Sequence, residues 1–400
     1  MKMKKRLSAA LLALCMAASM TACGDKTESS SKAAETTAAS AAAGTTASAA
    51  ETTAAPETSA PAADTVPEET KAPEEKAEAK LEYWAEDSEI KDTIIDWVKA
   101  VTDPDSPRFI PVEDRIVVSD MDGTLIGELY PAYFDHCMFV HRALYDEDYK
   151  DKASEEMKEF AHQLEEAFKV RTLPKGIEKT HAKFAAEAYK GMTYDELLAY
   201  TREYMKTPAE GFENMTRGEA YYKPMASLLD YLRANDFTIY VVSGTDRTLS
   251  RALCEDMFGI APNYVIGTDT TIVGTAQGDA DGMDYLYKPD DQTIFGGEFI
   301  TKNLKMNKVS AIVHEIGKVP VLALGNSTGD LSMAEYVYQN QKYDGRAYLL
   351  LCDDTERDYG KPDVAESLRK TCDELGFYTV SMKNDFATIY GDNVTLTKTE

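Results

Sequence analysis

Two carboxylates stand two residues apart in the stretch Arg115-Ile116-Val117-Val118-Ser119-Asp120-Met121-Asp122-Gly123-Thr124-Leu125. Acids at that spacing can divide labour. Asp120 can attack or bind a cation while Asp122 handles a proton. A divalent cation would keep Asp120 ionised and draw in a phosphate. Other polar groups follow later in the chain. Ser243 and Gly244 end the apolar run Phe237-Thr238-Ile239-Tyr240-Val241-Val242, and a hydroxyl beside free backbone N–H groups is an anion site. Lys308 can meet a phosphate as a point charge. Lys302 and Lys305 are nearby competitors, but the apolar stripe that follows favours Lys308. Asn326 and Asp330 are hard oxygen ligands suited to Mg²⁺. Carboxylates, a hydroxyl, a lysine and an oxygen-rich metal loop are the parts that phosphoryl transfer requires.

These groups need a frame. Ile116 to Val118 read as a short buried strand, and Gly123 lets the chain turn sharply after it. Further strands are expected at 237–242, 264–266, 320–324, 348–351 and 378–380. Helical stripes accompany them, the first over 88–101 with Ile90, Ile94, Ile95, Trp97, Val98 and Val101 at roughly helical spacing. Segment 243–246 should cap the next helix, and residues 268–300 read as a hairpin. Strands alternating with helices predict an α/β, doubly wound parallel sheet. Ligands bind beyond the carboxyl ends of such strands, where all these polar groups would meet. Between 127 and 222 no convincing strand appears. Phe160, Leu164 and Phe168 share a helical face, and Thr193 with Glu196 forms a capping box. This span is expected to be a helical insertion over the strand ends.

Charge narrows the partners. With 43 Lys plus Arg against 69 Asp plus Glu, the net charge of −26 argues against nucleic acid. A small phosphorylated substrate stays compatible, since one cation and one lysine reverse the field locally. The N-terminus reads as a targeting segment, basic at Lys2, Lys4, Lys5 and Arg6 and apolar from Leu7 to Met20. Met20-Thr21-Ala22-Cys23 is similar to a bacterial lipoprotein cleavage box, which would put lipid on Cys23. Residues 1–22 are then a lipoprotein signal peptide, and 23–80 an Ala/Thr/Ser/Glu/Pro-rich disordered tether. The expected location is the extracytoplasmic face of the cell membrane, lipid-anchored, or secreted if the signal is simply removed. Cys137, Cys254, Cys352 and Cys372 show no metal-ligand spacing and read as buried free thiols. The five histidines do not cluster in sequence, and His136 and His141 read as ordinary surface or core residues. Tyr130, Tyr133 and Phe134 can line a pocket or pack between insertion and core.

The motifs together resemble the phosphatases of the haloacid dehalogenase superfamily. Residues 117–124 fit its first motif, 241–244 the second, Lys308 the third and 325–330 the fourth. The flanks resemble a bacterial lipoprotein subgroup of acid-phosphatase-like members. The resemblance implies a Rossmann-like catalytic core over 81–126 and 223–400, with a helical cap over 127–222. It implies a Mg²⁺-dependent phosphomonoesterase that forms an aspartyl-phosphate on a small extracytoplasmic phosphoester. Asp120 would be the nucleophile and Asp122 the acid and base. Ser243, Gly244 and Lys308 would bind the phosphoryl group. Asp120, the backbone carbonyl of Asp122, Asp330 and Asn326 would bind Mg²⁺. Asn326 departs from the usual Asp and brings one less negative charge. The competing expectations are a phosphotransferase using the same residues and a non-catalytic binding lipoprotein.

Overall fold

The computed structural model describes residues 80–128 and 132–397. The signal segment, Cys23, the tether up to residue 79 and Tyr130 lie outside the described residues. Helix α1 (Glu89–Thr102) opens the ordered chain, with Ser88 accepting the Lys91 N–H at 3.1 Å. Its buried face is Ile94, Trp97, Val98 and Val101, while Ile90 and Ile95 of the expected stripe are half-buried at its edges. Strand β1 (Ile116–Ser119) is buried at all four positions. Val117 joins the apolar cluster on one side of the sheet, with Leu228 and Leu253, while Val118 joins the opposite cluster, with Ile312 and Val337. Both faces are covered, so the strand shows no polar alternation.

Helices α2 (Phe134–Leu144), α3 (Glu155–Lys169), α4 (Glu178–Ala188) and α5 (Tyr194–Met205) come next, then the two-residue strand β2 (Phe212–Glu213). Phe139, Met157, Phe160 and Leu164 give these helices a core of their own. The Thr193–Glu196 capping box is present. The segment leaves and rejoins the sheet through a narrow stem. There the Gly127 N–H donates to the Ala220 carbonyl at 2.8 Å and the Tyr222 N–H to Leu125 at 2.9 Å.

The chain continues through α6 (Lys223–Ala234), β3 (Thr238–Asp246), α7 (Arg247–Phe258), β4 (Val265–Gly274), β5 (Thr293–Thr301) and α8 (Met306–Ala311). It ends with β6 (Leu322–Gly325), α9 (Leu331–Tyr338), β7 (Arg346–Leu351), α10 (Pro362–Leu375), β8 (Tyr378–Ser381), α11 (Met382–Asp385) and β9 (Thr395–Leu396). The sheet has seven strands in the order β5-β4-β3-β1-β6-β7-β8. Every pair is parallel except β4 with β5, the expected hairpin. A separate antiparallel pair joins β2 to β9. This is the α/β doubly wound sheet, with β1 at its centre.

The cap expected in segment 243–246 is present at its last residue, but the strand before it is longer than the expected 237–242. Strand β3 runs through to Asp246, and the Asp246 carboxylate alone caps α7, accepting N–H groups of Thr248 and Leu249 at 2.8 and 3.3 Å. Ser243 stays in the strand. The thiols of Cys137, Cys254 and Cys372 are buried and unpaired, and Cys352 is half-buried and unpaired. Among the described residues no helix is long and apolar enough to cross a membrane.

Candidate active site

The register of β1 assembles the site. Ser119 lies opposite Val241 of β3 on one side and Leu324 of β6 on the other, so three strand ends stand side by side. Chain direction diverges at β1, which places a crevice beyond its carboxyl end. The Asp120 N–H donates to the Leu324 carbonyl at 2.9 Å and fixes the start of the turn.

Lys308 is fully buried beneath that turn. Its Nζ donates to Asp120 Oδ1 at 2.5 Å and to Asp330 Oδ1 at 2.7 Å. Burial opposes its charge, but the two carboxylates outweigh burial and hold the ammonium above its ordinary range. Asp330 Oδ2 accepts the N–H groups of Asn326 and Ser327 and the Ser327 hydroxyl, at 3.0 to 3.2 Å. Asp120 Oδ2 accepts the Thr124 hydroxyl at 3.2 Å. Burial and the charge of Asp330 push Asp120 up to about 6 despite Lys308. Lys305 is exposed and Lys302 half-buried, so Lys308 is the lysine that reaches Asp120.

Asp122 sits across the turn. Its Oδ2 accepts the Thr245 hydroxyl at 2.8 Å and the Ser243 hydroxyl at 3.5 Å. Its Oδ1 is buried with no hydrogen-bond partner among the described residues. Burial, Asp135 and Asp120, in that order, raise its pKa to about 7. A carboxyl group near neutrality can carry a proton at working pH and release it. Gly123 has φ +76°, where an added Cβ would collide with the Asn326 amide and lie 2.6 Å from the Glu128 carboxyl carbon. Only glycine brings both side chains so close to the turn.

Ser243 Oγ accepts the Thr245 N–H at 3.0 Å, and the Ser243 carbonyl accepts from Asn303 Nδ2 at 3.0 Å. At Gly244 a Cβ would fall 2.7 Å from Leu304 Cδ2, which a shift of the leucine side chain could relieve. Asn326 Oδ1 lies 3.4 Å from the Thr124 hydroxyl. The Glu128 carboxyl takes a hydrogen bond from the Asn326 side chain, which leaves that oxygen turned to Thr124.

Asp120, Asp122, Ser243, Gly244, Lys308, Asn326 and Asp330 thus gather around one turn. Sequence reasoning missed Glu128, Thr124, Thr245 and Asn303. Glu128 is half-buried, and burial with Asp122 and Asp120 raises it to about 8. Its signal was a third acid within nine residues of the first pair. The histidine reading needs correction. His136 and His181 stack face to face with centroids 3.8 Å apart, and Asp135 reaches both. They lie on α2 and α4, and only packing within the insertion brings them together. His141 instead lines a cavity of about 400 Å³ with Tyr145, Tyr204 and Arg217, away from the carboxylate turn's residues.

Residues 117–335, more than half of the chain, match the family described as haloacid dehalogenase-like hydrolase. No curated protein matches the chain. Similar solved structures include a conserved protein of unknown function from Anaerococcus prevotii DSM 20548, at 14% identity and TM-score 0.45 over 73% of this chain and 91% of that one. Cytosolic 5'-nucleotidase IIIB bound to cytidine is similar at 14% identity and TM-score 0.42, over 74% of this chain and 85% of its own. A phosphoserine phosphohydrolase-like protein from Francisella tularensis subsp. tularensis SCHU S4 is similar at 12% identity and TM-score 0.35, over 66% and 94%.

Proposed function

Since the chain belongs to the haloacid dehalogenase-like hydrolase family, we propose that it is a Mg²⁺-dependent hydrolase of small phosphomonoesters. One observation carries this reading. Two acids on one turn have opposite surroundings: Asp120 is held by the Lys308 ammonium, while Asp122 takes only hydroxyl donors and keeps one oxygen unpartnered. The first suits a nucleophile and the second an acid and base.

In the proposed reaction a carboxylate oxygen of Asp120 attacks phosphorus as the bond to the leaving oxygen breaks. Asp122 gives that oxygen its proton. The resulting aspartyl-phosphate is then attacked by a water that Asp122 deprotonates. The bond from phosphorus to Asp120 breaks, and phosphate leaves. Ser243, the Gly244 N–H and Lys308 hold phosphoryl oxygens throughout, and Lys308 keeps Asp120 aligned.

The donor set fits Mg²⁺. Asp120, Asp330, the Asn326 oxygen and the Asp122 carbonyl are hard oxygens, and the raised acids Asp120, Asp122 and Glu128 mark a place short of positive charge. When bound there, Mg²⁺ supplies charge that neutralises phosphoryl oxygens. Hydrolysis of an aryl phosphate by the full chain is expected to stop with EDTA and return with excess Mg²⁺. Activity unaffected by EDTA would overturn the metal assignment.

A stability test needs no turnover. The three raised acids bind protons more tightly folded than unfolded, so ionising them costs stability. Metal-free protein therefore loses stability as pH rises from about 4 to about 8. Mg²⁺ competes with those protons, so its increase in Tm should be larger at pH 8 than at pH 5. An equal increase at both would place the ion elsewhere.

The same proposal puts the enzyme on the extracytoplasmic face of the membrane through lipid on Cys23, acting on small phosphoesters there. The basic segment, the apolar run and the Cys23 box support it. Cys23→Ala should move the protein from the membrane fraction to the soluble fraction; unchanged fractionation would refute the anchor.

A further inference from the structure

Helix α2 carries Asp135 and His136 in its first turn, both buried, and α4 turns His181 towards them. His136 Nδ1 lies 2.7 Å from Asp135 Oδ1, and His181 Nδ1 lies 3.8 Å from Asp135 Oδ2. The imidazole planes are 8° from parallel, so neither ring donates to the other. His181 is only 1% exposed, yet neither of its ring nitrogens has a hydrogen-bond partner among the described residues. Leaving a buried ring nitrogen without a partner is costly, so two on one ring point to a missing ligand.

We propose that Asp135, His136 and His181 form a second cation site, taking a d-block divalent ion such as Zn²⁺, Co²⁺ or Mn²⁺, that clamps α2 to α4 within the insertion. One ligand atom from each residue already lies within 4.8 Å of the others. Donors on a tetrahedral Zn²⁺ lie about 3.3 Å apart, so the site closes once one imidazole rotates out of the stack and both lone pairs converge. Two imidazoles and one carboxylate select d-block ions over Mg²⁺, which prefers oxygen. This separates the site from the all-oxygen turn around Asp120. A small cavity of about 10 Å³ touches Asp135 and His181 and leaves room for about one water as a further ligand. Asp246 and Lys302 line the same cavity. The Lys302 ammonium opposes a cation, which gives the proposal a signed test.

The experiment titrates Co²⁺ into the full chain with millimolar Mg²⁺ present to occupy the oxygen site. The expected result is one equivalent bound, with the visible ligand-field absorption of nitrogen-ligated Co²⁺ and a rise in Tm. His181→Ala and Asp135→Asn should each weaken uptake at least tenfold and remove the Tm rise. Should either variant fail to fold by circular dichroism, His136→Gln gives the same reading. Lys302→Met should tighten Co²⁺ binding severalfold. No uptake beyond the level displaced by Mg²⁺, or uptake unchanged in the folded variants, would overturn the proposal and leave a water as the partner of His181.

Discussion

Asp120→Asn is expected to abolish turnover, a loss of about 10⁴-fold or more, without lowering stability. Asn keeps the shape of Asp and still accepts from Lys308, but its amide cannot form the aspartyl-phosphate. The stability argument runs the other way. Asp120 and Asp330 share one lysine, and burial with Asp330 already raises Asp120 to about 6. A neutral group removes that repulsion in metal-free protein. Single-turnover assays and thermal melts at pH 8 test both halves. Activity surviving in Asp120→Asn would sink the nucleophile assignment, and a collapse in Tm would show that the site is held together by Asp120 itself.

Lys308→Met should be costly to fold as well as to activity. The side chain is completely buried and donates to two carboxylates. Removing one partner from a buried ion network leaves charge uncompensated, at about 3–5 kcal/mol. The sign with pH follows from the same charges. Without Lys308, Asp120 holds its proton more tightly still. At pH 5 it is protonated and the repulsion with Asp330 is relieved. Raising the pH to 8 draws that proton off and restores the repulsion, so the destabilisation measured by urea unfolding should be larger at pH 8 than at pH 5. Mg²⁺ should restore part of it at pH 8. A pH-independent loss would mean that packing, not charge, is what Lys308 contributes.

The core was legible because its signals are local. A run such as Ile116-Val117-Val118 reads as a buried strand, and the stripe from Ile90 to Val101 as a helix face. Both depend on residues close enough in sequence to share one period. The capping box of Thr193 and Glu196 is local too. The polar residues at the strand ends were legible for a different reason. A parallel sheet gathers those ends at one edge, so order along the chain becomes proximity in space.

What was not legible was what depends on side-chain reach. Segment 243–246 contains a serine, a threonine and an aspartate, any of which can cap a helix. Only the continuation of β3 to Asp246 decides among them. Glu128 lies beyond the motif, and its contact with Asn326 comes from the turn that Gly123 permits.

By itself the sequence determined the alternation of strands and helices, the helical insertion, and the residue types at the carboxyl edge. Periodicity and turn chemistry are written in neighbouring residues. The tertiary structure alone decided three things. It set Lys308 between Asp120 and Asp330 so that one ammonium serves two carboxylates. It left Asp122 Oδ1 and the His181 ring nitrogens without hydrogen-bond partners among the described residues. It stacked His136 on His181 beside Asp135. Each is a contact between separate elements, set by how helices and strands pack, and no local pattern encodes a distance across that packing.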